Sequence, residues 1–329
     1  MRYIIYGAGG IGGTIGARLF QHGQEVILIA RGDHLKAIRD RGLTFESPSE
    51  KEVLTIPCAG HPSEIDFREE DVVFMTMKAQ HTLAALEELR DAAGENIPVI
   101  CCQNGVANER MALRRFRRVY GMLVFLPSTY LVPGAVQTEA KTTTGILDVG
   151  CYPSGLDSIA EEVTCTLSAS RFSSCADPDI MRMKYAKLLR NLNNSMQAVC
   201  GPENEARDRD ISLMLNREAV DCYKAAGIDW AGPEEFKNRV DDHIQLGTVD
   251  GRKRAGGSSW QSIARGAGSI ESDYLNGEII LLGRLHGIPT PANSVLQQLA
   301  NRLARDAAEP GSYSLDQVKA LIAQAGGKF

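Results

Sequence analysis

Arg2-Tyr3-Ile4-Ile5-Tyr6-Gly7-Ala8-Gly9-Gly10-Ile11-Gly12 is the stretch that decides the fold. Arg2–Tyr6 reads as a short strand, the glycines follow at once, and an amphipathic helix is expected over Ile11–His22. Gly7, Gly9 and Gly12 have the spacing G-x-G-x-x-G. In that context one glycine permits the tight turn, a second lets the backbone approach a pyrophosphate, and a third lets helix pack on strand. The helix start then offers free N–H groups and the positive end of its dipole to an anion. Gly7, Ala8, Gly9, Gly10, Ile11 and Gly12 are the candidate dinucleotide contacts; a glycine turn without a ligand is the alternative.

The second expected strand, Glu25–Ala30, bears on which dinucleotide. NAD sites usually place Asp or Glu at its end to bond the ribose hydroxyls. Here the sequence runs Ile29-Ala30-Arg31-Gly32, without that acid. A guanidinium at 31 can pair with a 2′-phosphate, which favours NADP(H) over NAD(H); a solvated arginine in a loop is the other reading. The missing acid also argues against a methyltransferase of related fold.

Further strands are expected at Val53–Pro57, Asp71–Met75, Val99–Cys102 and Arg118–Phe125, with helices at His34–Arg41, His81–Ala93 and Asn108–Phe116. Such alternation argues a parallel sheet covered on both faces. Strand-like pieces near Ala135–Glu139, Thr144–Val149 and Arg171–Ser174 are expected to extend its edge. Asp177-Pro178-Asp179 is a plausible boundary, giving domains 1–178 and 179–329. Beyond it the pattern is helical: Met181–Val199, Leu213–Ala226, Pro233–Gln245, Ser258–Arg265, Ile270–His286, Ala292–Asp306 and Leu315–Ala325. Asp250–Gly257, rich in glycine and basic residues, reads as a mobile loop.

Composition narrows the function. At 329 residues, 43% hydrophobic and 23% charged, the chain suits about two globular domains rather than disorder. A net charge of −5 disfavours general binding to nucleic acid or anionic membranes. No apolar run approaches the ~18 residues of a membrane span. The eight cysteines are scattered without a C-x-x-C pair, which fits a reducing cytoplasm, and the six histidines lack metal-ligand spacing.

Two polar features stand out in the helical half. Lys187, Asn191 and Asn194 share one helix face, with Ser195 at its edge. An ammonium flanked by amides can protonate an oxyanion and orient a polar substrate; a solvent-facing stripe is the alternative. Glu271 continues an apolar stripe with Leu275, Ile279 and Leu282, in a helix that Ser269 is expected to cap. A carboxylate there is partly buried and needs a partner or a task, or it merely stabilises the helix start by its charge. Ser258 and Ser259 read by default as caps.

These pieces together resemble the ketopantoate reductase (2-dehydropantoate 2-reductase) family. The likeness rests on the turn at 7–12, Gln103-Asn104-Gly105, Lys187-Leu188-Leu189-Arg190-Asn191, Ser258-Ser259, Glu271-Ser272-Asp273-Tyr274-Leu275-Asn276-Gly277 and Gly287-Ile288-Pro289-Thr290-Pro291-Ala292-Asn293. The resemblance implies a Rossmann domain followed by an all-α domain like that of 6-phosphogluconate dehydrogenase, with the active site in the cleft between them. It implies NADPH-dependent reduction of a 2-oxo acid to a 2-hydroxy acid, ketopantoate to pantoate or a close analogue. By position, Lys187 matches the lysine that donates the proton, and Glu271 the carboxylate that works with it on the substrate hydroxyl. Asn191 matches a substrate-holding amide, Ser259 the serine that binds the substrate carboxylate, and Asn104 a residue near both nicotinamide and substrate. Met77 and Lys78 match a cofactor-contacting segment, and Arg31 the 2′-phosphate partner. Ser195 stands where many members carry a second substrate asparagine. Gly256 and Trp260 replace the Asn and Met common in pantoate-forming members, so a paralogue acting on another 2-oxo acid is an alternative; an NADP-binding sensor without turnover is another. The helical domain could support a homodimer.

Overall fold

The computed structural model describes residues 1–205, 209–240, 244–249, 256–266 and 268–328. The chain divides into two compact units. The first comprises 1–103, 108–184 and 232–254; the second comprises 104–107, 185–231 and 255–329.

The first unit is of α/β Rossmann type. In chain order its elements are β1 (Arg2–Tyr6), α1 (Gly10–Gln21), β2 (Glu25–Ile29), α2 (Gly32–Arg41), β3 (Leu43–Ser47), β4 (Glu50–Leu54), β5 (Cys58–Ala59) and β6 (Asp71–Met75). Then come α3 (Thr82–Ala93), β7 (Val99–Cys101), α4 (Asn108–Leu113), β8 (Val119–Phe125), β9 (Ser128–Thr129), β10 (Ala135–Thr138), β11 (Ile146–Cys151) and α5 (Ser158–Ala169). A seven-stranded sheet runs β11-β8-β7-β6-β1-β2-β5, parallel except for β11, which pairs antiparallel with β8. Alternation along each strand explains how both faces are buried. Tyr3 and Ile5 point toward Ile15 and Leu19 of α1 and Val163 of α5, whereas Ile4 and Tyr6 join Leu86 and Leu89 of α3.

Several expected strands land elsewhere. The segment expected as Val53–Pro57 is not a strand of the parallel sheet. Glu50–Leu54 pairs antiparallel with β3 in a second sheet, β4-β3-β10-β9, and the parallel sheet is completed by the two residues Cys58–Ala59. Ala135–Thr138 belongs to that second sheet as well, not to the main sheet's edge. Arg171–Ser174 contributes only an isolated bridge, Ser173 to Ile146.

Helix α6 (Ile180–Asn191) runs from the first unit into the second. It is followed by α7 (Asn193–Cys200), α8 (Pro202–Glu205), α9 (Arg209–Ala226), α10 (Pro233–Val240), α11 (Ser258–Ala264), α12 (Asn276–His286), α13 (Pro291–Arg305) and α14 (Leu315–Gln324). Of these, α10 belongs to the first unit. Arg239 on it grips Asp148 of β11 through Nε at 2.7 Å, both side chains nearly buried. The expected tail of that helix, 241–243, and most of Asp250–Gly257 lie outside the described residues.

The helix expected as Met181–Val199 is interrupted at Leu192, although its φ and ψ stay helical (−59° and −32°). At this point a side chain meets the helix backbone: Asn276 Nδ2 donates to the Leu192 carbonyl at 3.2 Å. Among the described residues, no helix is long and apolar enough to cross a membrane.

Candidate active site

In the first unit the glycine turn is held open from below. Gly7 has φ +110°, and a Cβ there would come within 2.7 Å of Met77 N. A Cβ on Gly12 would collide with the Gly7 carbonyl and Thr76 Oγ1. Only glycine meets both demands. Thr76 Oγ1 donates to the carbonyls of Tyr6 (2.9 Å) and Gly7 (2.8 Å), and the N–H groups of Gly7 and Ala8 go to Ile29 O. Helix bonding starts with Gly13 N to Gly9 O, and Gly9 supplies no side-chain cap. The N–H groups of Gly10, Ile11 and Gly12 therefore have no acceptor among the described residues. Three donors at the start of a 12-residue helix, with no acidic residue in its first turn, form an anion cradle.

Arg31 is exposed at the start of α2. Its charge and that of Lys78 reach His81, whose imidazole burial and then those two cations hold below its ordinary value. Arg31 and Lys78 are thus two cations near one another, with His81, held toward its neutral form, beside them. Met77 is buried, with Gln103 Nε2 3.6 Å from its sulfur.

The second unit gathers most of the polar candidates. Lys187 Nζ donates to Asn104 Oδ1 at 2.6 Å. The loop carrying Asn104 packs on the 3₁₀ turn Glu271–Tyr274: a Cβ on Gly105 would lie 2.7 Å from the Tyr274 carbonyl. Glu271 is 6% exposed, so the expectation of a buried carboxylate holds. Its setting differs, however. It lies on that separate turn, entered from Ile270 without a side-chain cap, and not inside the helix that Ser269 was expected to cap. Gly266 and Gly268, at φ +65° and +69°, make the break before it.

Ser259 is not a cap either. Gly257 occupies the N-cap position of α11, and Ser259 is buried inside the first turn. Its Oγ and the Oδ1 of Asn191 are both buried without a hydrogen-bond partner among the described residues. Buried polar atoms are nearly always paired in folded proteins, so these two keep open hydrogen-bonding capacity in the second unit.

Ser195, expected among the substrate contacts, is fully buried, and its hydroxyl donates to Asn276 Oδ1 at 2.6 Å. Asn276 Nδ2 also donates to Asn293 Oδ1 (3.0 Å), and Asn293 Nδ2 to Glu218 Oε2 (2.8 Å). Glu218 accepts from the N–H groups of Ala292 (2.8 Å) and Asn293 (3.0 Å), closing the start of α13. This buried chain of bonds, which includes Ser195, ties α7, α12, α13 and α9 together.

Sequence reasoning missed Lys184. Its Nζ donates to the carbonyls of Gln103 (3.0 Å) and Met122 (3.1 Å), and Glu109 Oε1 lies 2.8 Å away. Glu109 lacks an aligned hydrogen bond, so that contact is ionic. A lysine four residues before Leu188, on the helix's apolar stripe, was the available signal.

Comparison with known proteins agrees with this layout. The model of the ketopantoate reductase PanE/ApbA family matches residues 3–153, and that of the PanE/ApbA C-terminal domain matches 179–304. A 2-dehydropantoate 2-reductase of Pyrococcus horikoshii is 29% identical over 302 residues, covering 91% of this chain and 96% of the relative. One from Mesorhizobium japonicum is 27% identical, covering 95% and 100%. A ketopantoate reductase structure from Ralstonia eutropha superposes with TM-score 0.76 at 25% identity, covering 93% and 99%. The structure of D-mandelate dehydrogenase with NADH and anilino(oxo)acetate has TM-score 0.79 at 20% identity over the same shares, a likeness of fold. Fold and matches define a Rossmann-type oxidoreductase acting on CH–OH groups. The chain belongs to the ketopantoate reductase family.

Proposed function

We propose that the protein reduces a 2-oxo acid to the 2-hydroxy acid with NADPH, and that ketopantoate, giving pantoate, is the first substrate to test. The observation that carries the reading is the pairing of Lys187 with Asn104 in the unit that leaves Asn191 Oδ1 and Ser259 Oγ unpaired. The names of the curated relatives, 2-dehydropantoate 2-reductase, support the substrate class.

The first unit's residues fit the cofactor. The open N–H groups of Gly10, Ile11 and Gly12 suit a pyrophosphate, and the cations Arg31 and Lys78 suit an additional phosphate on the ribose. When bound, the reduced nicotinamide supplies a hydride to the ketone carbon. Lys187 gives a proton from Nζ to the carbonyl oxygen and regains one from water. Asn104 orients that ammonium by accepting one of its hydrogens. Ser259 donates to the substrate carboxylate, Asn191 holds the reacting oxygen's neighbourhood, and Glu271 accepts from the forming hydroxyl. A boundary in the sequence near 178/179 is supported by the start of the second family match at residue 179, a few residues before the compact units change over at 184/185. Eight unpaired cysteines support a reducing cytoplasm.

A second reading is favoured by one contact. The ring of Trp260 lies against Gly256, so that a Cβ at 256 would meet it at 2.8 Å. The two departures from the pantoate-forming pattern are therefore one coupled change, and it supports a different 2-oxo acid. Following NADPH oxidation with ketopantoate beside branched and aromatic 2-oxo acids decides between the two. NADPH binding with no turnover on any of them would leave the sensor alternative instead.

A further inference from the structure

His34, on α2, lies under the glycine turn and is 7% exposed. Its two ring nitrogens are both engaged. Nε2 is 2.6 Å from the carbonyl of Ala8, and Nδ1 is 2.8 Å from the N–H of Gly134. A backbone N–H can only donate, so Nδ1 accepts and Nε2 carries the proton. The ring is a neutral imidazole of one defined tautomer.

That bond fixes a particular peptide plane. The Ala8 carbonyl is tied to His34, while the N–H of the same peptide, on Gly9, donates to Gly7 O at 2.7 Å. With both ends of the plane pinned, the chain enters α1 in one orientation. The N–H groups of Gly10, Ile11 and Gly12, which follow that plane, have no acceptor among the described residues. The other end of the ring holds Gly134, whose carbonyl accepts from Thr44 N at 2.8 Å. The segment ending there begins with β9 at Ser128, whose Oγ sits 3.1 Å from where a Cβ on Gly10 would be.

We propose that His34, as the neutral imidazole, is the positioning residue that shapes the dinucleotide turn, so that cofactor affinity depends on its remaining unprotonated. The inference rests on the reading of the turn as an NADPH site. Adding a proton to Nδ1 would set two N–H donors face to face across the Gly134 contact, and would bury a cation. The ring would have to leave, releasing the Ala8 carbonyl. The surroundings offer the cation no help. The glycine turn presents no titratable side chain, the 128–134 loop presents the ring of Tyr130 at 4.6 Å, and the neighbours Asp33 and Lys36 on α2 are exposed. Burial accordingly holds the imidazole below its ordinary value, against the raising effect of the Ala8 bond.

The test is equilibrium binding of NADPH to the full chain, by its fluorescence, at about pH 7 and about pH 5, in the parent and in His34→Gln. The glutamine amide can still donate to Ala8 but cannot titrate. The comparison also removes the titration of the cofactor's own phosphate and of His81. The expected result is a parent affinity that falls at least about tenfold more than that of His34→Gln over this range. An identical fall in both overturns the proposal while leaving the NADPH site intact. No binding by the parent at neutral pH overturns both. A second measurement needs no variant to be well folded: the His34 ring signal of the parent, titrated by NMR with and without NADPH. Bound NADPH should lower its titration midpoint, and an unchanged midpoint counts against the proposal.

Discussion

Lys187 Nζ and Asn104 Oδ1 stand 2.6 Å apart, although 83 residues separate them in the chain. The lysine is on the second unit's entry helix and the asparagine is on a loop that leaves the end of β7. A flexible ammonium is thereby given one direction, which is what a proton donor needs and what a solvent-facing stripe lacks.

Lys187→Ala should lower kcat by about 10²–10⁴-fold, the range for loss of a general acid. NADPH binding should stay unchanged, because the lysine belongs to the helical unit's polar set. Asn104→Ala should cost less, because the proton donor remains. Steady-state kinetics with direct cofactor titration checks this; near-parental turnover of Lys187→Ala would remove it from its role.

Arg31→Ala should weaken NADPH by roughly 10–100-fold, as expected for a lost charge-assisted contact of about 1.5–3 kcal/mol. NADH affinity should barely move. Paired titrations with the two cofactors decide the matter, and equal losses for both would contradict a 2′-phosphate role.

Ser195 and Ser259 should respond in opposite ways. Ser195→Ala breaks a buried hydrogen bond to Asn276 and should destabilise the protein by about 1–3 kcal/mol, with KM for the 2-oxo acid unchanged. Ser259→Ala removes an unpaired buried hydroxyl, so it should raise KM without loss of stability. Denaturation curves alongside kinetics separate the two serines.

Thiol reactivity should single out Cys165. It is exposed, whereas Cys101, Cys102, Cys200 and Cys222 are buried. Cys175 is open as a residue but turns its thiol to donate to Asp148 at 3.2 Å; burial, and then that carboxylate, pushes it up to about 11. Its thiolate fraction at neutral pH should be about 100-fold below that of an ordinary cysteine. A disulfide reagent should show one fast phase that Cys165→Ser abolishes. A fast phase surviving in that variant would refute the assignment.

Much of the fold was legible because the strands follow period two and the turn's glycines have a steric task. What escaped has physical causes. The second sheet, β3, β4, β9 and β10, uses the same alternation as the first, and only pairing partners distinguish them. The interruption at Leu192 has no glycine or proline to announce it; the side chain that bonds the backbone there, Asn276, is 84 residues away. The affiliation of α10 rests on pairs distant in the chain, Arg239 with Asp148 and Ser173, and Glu235 with Arg182. Of the candidate site, Lys187, Asn191 and Glu271 stand out from spacing and resemblance, and Ser259 from resemblance alone. The commitment of Ser195 to Asn276, and the buried tasks of Lys184 and His34, depend on carbonyls and amides distant in the chain.

The central claim is hydride delivery to a 2-oxo acid from a cofactor held at the glycine turn. Reduction with NADPH carrying deuterium at C4 of the nicotinamide, followed by mass spectrometry of the product, tests it most directly. The account predicts a 2-hydroxy acid labelled at C2 when the transferred face carries the deuterium, and no label when the opposite face does. A product without deuterium from either labelled cofactor, or bound NADPH that reduces none of the 2-oxo acids, would contradict it.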